Sequence, residues 1–155
     1  MTNTVIAIDP GYDRVGIAIL EDSALLHSEC FVPESKDFSE RLKAVAARIH
    51  ALVDEFAPDA LAMETLFFSK NVKTAMQVAE ARGAITLTAA QCGLPLHEYS
   101  PQEVKIAVTS VGNADKTQVI GMVEKLLKLP PEKRLDDEYD AIAVGLCHQA
   151  QSRFL

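Results

Sequence analysis

Four carboxylates stand where a folded chain has little ordinary use for them. Asp9 closes the run Thr4-Val5-Ile6-Ala7-Ile8, Glu64 closes Ala60-Leu61-Ala62-Met63, and Asp137 and Asp140 precede Ala141-Ile142-Ala143-Val144. Acids scattered in sequence but gathered at element ends have the chemistry of a hard-cation site. Mg²⁺ takes oxygen ligands and is commonly held by one or two carboxylates together with phosphate and water. Each acid also has a plainer use. An Asp before Pro10-Gly11 serves as a turn former, and acids that open a helix serve as caps or dipole partners. Glu64 has no such use, because a carboxylate at the end of a buried apolar run is costly unless something compensates it. Asp137 and Asp140, three apart on a helix, share a face. The adjoining Asp136 is the alternative to Asp137 as a ligand.

The elements that must position these acids follow from patterning. The β-branched run to Asp9 predicts a strand stopped by Pro10-Gly11. Gly16 to Leu20 and Ala24 to Val32 predict two more strands, with Glu21-Asp22-Ser23 as a hairpin turn. Phe38, Leu42, Val45, Ile49, Leu52, Val53 and Phe56 recur at spacings of three and four, an amphipathic helix with Asp37 and Glu40 spaced as a capping box and Pro58 beyond its end. A fourth strand runs to Glu64, and a helix follows from about Val72 to Ala90. That helix is small and apolar all round, so it is either a core helix or a partner face. A fifth strand over Leu96 to Tyr99 precedes a helix from Pro101 to about Val111. Gly112-Asn113 breaks it, a further helix covers Asp115 to Leu129, and the last helix carries Asp137 and Asp140. The order predicts an α/β protein whose mixed five-stranded sheet is flanked by helices.

A chain of 155 residues is long enough to bury roughly two thirds of its unfolded surface and is expected to form one domain over residues 1–155. No run approaches a membrane span and no basic-then-apolar leader opens the chain, so a cytoplasmic location with no membrane partner is expected. Cys30, Cys92 and Cys147 form no Cys-x-x-Cys pair, which argues against a disulfide framework or structural zinc. Cys147-His148 is the one pair with ligand chemistry. The net charge of −7 weakens a nucleic-acid reading. Between Thr65 and Gln118, however, five basic residues (Lys70, Lys73, Arg82, Lys105, Lys116) face only four acids.

Ile8-Asp9-Pro10-Gly11, Met63-Glu64-Thr65 with Phe67-Phe68-Ser69-Lys70-Asn71, Ala81-Arg82-Gly83, Lys105, Lys116 and Asp137-x-x-Asp140-Ala141 together resemble the ordered motifs of RuvC-type Holliday junction resolvases, over nearly the whole chain. The resemblance implies an RNase H-like fold, a homodimer, and Mg²⁺-dependent paired cutting of four-way junction DNA. It implies that Asp9, Glu64, Asp137 and Asp140 hold two Mg²⁺ ions, with Mn²⁺ a possible substitute, and that Asp9 bridges them. It makes Phe67 a base-stacking residue and places Lys105 and Lys116 near the cleaved phosphate, with Lys116 in the catalytic set. Lys70, Lys73 and Arg82 become phosphate contacts, the small-residue helix becomes the dimer face, and the branch-migration proteins RuvA and RuvB become possible partners. A core role for Phe67 and solvated roles for the lysines are the plainer alternatives. The chain departs from the pattern in its acidity, in lacking a basic tail after the last helix, and in Asp13, an extra acid beside the proposed site.

Other functions compete. The same acids would serve another RNase H-like nuclease with a different substrate, since fold and metal site are shared by many activities. A module that binds junctions without cutting is a second alternative, although all four acids are present. An ATP-binding domain of the sugar-kinase and actin class also ends its first strand in Asp before Gly, but it needs a second domain that 155 residues do not accommodate.

Overall fold

The computed structural model describes residues 2–65, 71–130 and 132–153. Five strands form one sheet: β1 (Thr4–Asp9), β2 (Val15–Glu21), β3 (Ala24–Phe31), β4 (Ala60–Glu64) and β5 (Leu96–Tyr99), in the order β3-β2-β1-β4-β5. β1, β2 and β3 make the expected antiparallel meander, while β4 lies parallel to β1 and β5 parallel to β4. The sheet is therefore mixed, with its parallel half joined through helices. These are α1 (Phe38–Phe56), α2 (Val72–Gln91), α3 (Pro101–Thr109), α4 (Lys116–Leu127) and α5 (Asp136–Ser152).

The boundaries differ from the sequence reading where local chemistry intervenes. The hairpin turn is Asp22-Ser23 alone, both at positive φ, with Glu21 and Ala24 already paired; this is the two-residue geometry that suits strand twist. β3 stops at Phe31. Asp37 accepts from the amide of Glu40, half of the expected capping box, whereas Ser100 with Glu103 and Asp115 with Gln118 form complete ones at α3 and α4. α3 ends before Val111 because Ser110 turns left-handed, and α4 ends before Leu129 because Lys128 does the same.

Alternation along the strands divides the core between two faces. Ile6, Ile8, Val15, Ile17, Ile19, Leu61 and Met63 pack with Val45, Ile49 and Leu52 of α1 and Ile85 and Ala89 of α2. Ala7, Ala18 and Ala62, with Val5 and Leu20, face α5 and the α3 and α4 residues packed beside it. Small side chains on this second face let α5 come close. A Cβ on Gly145 would meet the Leu20 side chain at 2.4 Å and the Ala7 Cβ at 3.3 Å. α5 is buried from Ala141 to Gln149, so its first turn is held rigidly at the end of the sheet where β1 and β4 finish.

Candidate active site

Asp9 is the last residue of β1 and Glu64 the last of β4, and the parallel register Ile8↔Met63 sets the two acids side by side at one end of the sheet. Asp9 shares the parity of Val5 and Ala7, and Glu64 that of Ala62, so both lie on the α5 face. Gly16 on β2 is paired with Asp9. A Cβ there would stand 1.9 Å from the carbonyl oxygen of Asp137, so only glycine lets the first turn of α5 settle over the strand beside Asp9.

The result is a close group of acids. Asp9, Asp137 and Asp140 each offer a carboxylate oxygen, and these atoms lie within 4.8 Å of one another. Glu64 adjoins them from the other side. It lines a crevice with Asp9, Pro10 and Arg82, and a neighbouring cleft of about 300 Å³ with Asp140, Lys105 and Lys116. The acids of α5 are not caps, since its N-cap position is Leu135 and no side chain bonds there.

Four negative charges in a shielded corner are unfavourable, and the proton affinities record it. Asp9 is pushed up to about 8, first by burial and then by the charges of Asp140, Asp137 and Glu64, against which only Lys116 works. Glu64 is raised by burial and by Asp140, with Lys116, Lys105 and Arg82 opposing. Burial also raises Asp140, although Lys116 donates to it at 2.9 Å. On Lys116 burial works against the charge, but that bond and the charges of Asp140, Asp136 and Asp9 prevail and the ammonium is held more tightly. An all-oxygen donor set with excess negative charge fits a hard divalent cation.

The basic residues divide into three groups. Lys116, at the start of α4, spans Asp140 and Asp136 on the rim, the latter at 3.8 Å, and Lys105 of α3 lines the same cleft. Lys73 is exposed on the first turn of α2. Arg82 is turned inward instead of toward solvent: its side chain is 12% exposed, bonded to the main-chain carbonyl of Glu64 and, at 2.7 Å, to Glu98. Phe67 and Lys70 lie outside the described residues.

Two contributors escaped the sequence reading. Gly16 carried a signal, an isolated glycine inside a strand pattern, which marks a close backbone approach. Arg14, whose guanidinium pairs with Asp137, carried none, because a basic residue in a connecting loop has no periodicity to betray its partner. Asp13 is no extra ligand: it is 73% exposed and pairs with Arg41. Asp136 is the most exposed of the acids at the start of α5 and stands outside the close group that includes Asp137. Cys147 and His148 belong to the core. His148 exchanges a 2.8 Å bond with the Tyr99 hydroxyl, and burial, with His97 beside it, lowers its proton affinity to about 4.

A mixed five-stranded α/β sheet with carboxylates gathered at the ends of its first and fourth strands and at the start of its last helix defines the RNase H-like class of nucleases. The sequence matches the family of the crossover junction endodeoxyribonuclease RuvC over residues 5–148, and the chain belongs to that family. It is 42% identical to the RuvC of Thermosipho melanesiensis over 97% of this chain and 99% of the relative. It is 44% identical to that of Moorella thermoacetica over 93% and 89%. Among solved structures, the Thermus thermophilus RuvC in complex with a Holliday junction substrate superposes with a TM-score of 0.90 at 31% identity, covering 98% of this chain and 96% of that one.

Proposed function

We propose that this chain is a crossover junction endodeoxyribonuclease that cuts four-way DNA junctions by paired, symmetric nicks, using two Mg²⁺ ions held by Asp9, Glu64, Asp137 and Asp140. The observation that carries the reading is the convergence of Asp9, Asp137 and Asp140 within 4.8 Å, from two elements, in a chain of this family. Two divalent ions in such a site supply an activated water and stabilise the attacking and leaving oxygens of an in-line displacement.

The chain's own residues do the remainder. Asp9, the acid whose charge burial and its neighbours oppose most, would be the ligand shared by both cations. Lys116 and Lys105 present ammonium groups along the cleft where a phosphate would lie and offset charge as it develops there. Lys73 is placed to contact phosphate from the exposed start of α2, and Phe67 and Lys70 are assigned base stacking and phosphate contact by family resemblance. A two-fold dimer would set two such sites on equivalent strands of a junction. The outer side of α2 exposes Val72, Met76 and Leu87, which suits that interface. The protein works in the cytoplasm as one nuclease domain, with RuvA and RuvB as candidate partners and Mn²⁺ as a candidate substitute for Mg²⁺. Among the described residues no helix is long and apolar enough to cross a membrane. Affinity for the junction is expected to fall with salt in proportion to the number of phosphates that the lysines neutralise.

The test is cleavage of a labelled synthetic four-way junction, a matching linear duplex and an RNA–DNA hybrid, each with Mg²⁺ and with chelator. Paired, metal-dependent nicks confined to the junction are expected. Cutting of the hybrid alone would overturn the substrate, and junction binding without any cutting would make the chain a binding module.

A further inference from the structure

Glu64 sits at a point where the sheet cannot hold it. Along a strand, backbone groups turn to alternate sides. Leu61 and Thr65 turn their amides toward β5, donating to the carbonyls of Pro95 and Tyr99. The carbonyl of Glu64 therefore faces β1. The parallel register Ala7↔Ala62 and Ile8↔Met63, continued by one step, calls on residue 10 to donate to it. Residue 10 is proline and has no N–H. The bond is supplied from outside the sheet: Nη1 of Arg82 reaches in from α2 to the Glu64 carbonyl, while Nη2 is anchored by Glu98 of β5 at 2.7 Å. Pro10, Glu64 and Arg82 border one crevice with Asp9. At 12% exposure the Arg82 side chain is poorly placed to meet a phosphate, and its planar fork is already divided between two acceptors.

We propose that Arg82 is a positioning residue: it makes the backbone bond that Pro10 cannot make, and so holds the Glu64 carboxylate at the metal site. The proposal rests on the metal-site reading above. It ties the Pro10 turn to α2, so that the strand-end acid is oriented by a group that touches neither DNA nor metal. Removing such an outer partner of a ligand typically costs about 10–100-fold in metal affinity.

The test uses the full chain and Mn²⁺ as probe, with affinity read by calorimetry for the wild type, Arg82→Met, Arg82→Lys, Glu64→Gln and the double variant Arg82→Met/Glu64→Gln. Met keeps the apolar stem and removes the donors. Arg82→Met is expected to weaken Mn²⁺ binding by about 10-fold or more and to add little to Glu64→Gln, because both act through one carboxylate. Its affinity for a four-way junction in chelator should stay near that of the wild type. Arg82→Lys, with a single ammonium in place of the two-pronged fork, should fall between wild type and Glu64→Gln, and it carries the test if the Met variant does not fold. Unchanged Mn²⁺ affinity in the folded Arg82 variants, with weaker junction binding and a salt slope reduced by about one, would make Arg82 a phosphate contact and overturn the proposal. Wild-type Mn²⁺ affinity in Glu64→Gln would overturn the metal reading itself.

Discussion

The two faces of the sheet are built to opposite rules. Toward α1 and α2 the strands present Ile6, Ile8, Ile17, Ile19, Leu61 and Met63, all without solvent exposure, and this face is an ordinary large-residue core. Toward α5 they present Ala7, Ala18 and Ala62, with Gly16 and Gly145 at the points of closest approach. Thinner side chains bury less apolar area per residue, about 25 cal/mol for each Å² forgone. What the second face gains is proximity: the start of α5 is drawn down until its acids meet those of β1 and β4. One face mainly stabilises the protein, and the other gives up packing volume to assemble charge.

The strongest way to break that division is a matched pair of substitutions on β2. Gly16→Ala forces a methyl to 1.9 Å from the Asp137 carbonyl, so the first turn of α5 must lift. A misplacement of about 1 Å at a catalytic group costs on the order of 100-fold in rate, read as single-turnover junction cleavage. Ile17→Ala, one residue on but facing α1, should instead lower stability by about 2–5 kcal/mol in denaturant titration while leaving the cleavage rate of folded protein at 25 °C near that of the wild type. Equal activity losses in the two would erase the distinction between the faces.

A second effect is smaller and concerns charge. Asp9 holds its proton up to about pH 8 in the folded protein, against 3.8 when unperturbed. Between those values the folded state binds a proton that the unfolded state has lost, so metal-free stability should fall as pH rises from about 4 to about 8, by at most ~1.4 kcal/mol per pH unit from this group. Above that window both states are ionised and the contribution is flat. Asp9→Asn should flatten the slope and leave the chain more stable near neutral pH in chelator, although inactive. An unaltered pH profile of melting in this variant would show that the acids do not strain one another as their geometry implies. The smallest expected change is in Arg14→Gln. Removing the cation that pairs with Asp137 should tighten Mn²⁺ binding a few-fold, and weaker binding would instead give Arg14 a role in shaping the site.

The same contrast explains what was legible in the sequence. The strands follow from short apolar runs between turn residues, α1 from spacings of three and four, and the other helices of the described residues from Pro and Gly punctuation around them, since those signals are local. Glu64 stood out because an acid closing a buried apolar run violates such patterns, whereas Asp9, Asp137 and Asp140 had plainer uses and were singled out only by the joint pattern and the family motifs. Helix ends were less legible, because left-handed Ser110 and Lys128 are not the glycines that announce a stop. The direction of Arg82 was hidden altogether: its solvent or core orientation depends on an unsatisfied carbonyl across the sheet, created by a proline 72 positions away. The pairing of Arg14 with Asp137 is likewise a contact between a loop and a helix 123 residues apart.

The most direct measurement of the central claim is single-turnover cleavage of a labelled four-way junction by Glu64→Gln in Mg²⁺, alongside its junction affinity in chelator. The account predicts cleavage reduced by orders of magnitude with affinity close to that of the wild type, since the change removes one proposed cation ligand and leaves Lys105 and Lys116 along the cleft in place. Cleavage at the wild-type rate would contradict it, because the carboxylates gathered on the α5 face would then not be the groups that carry the reaction.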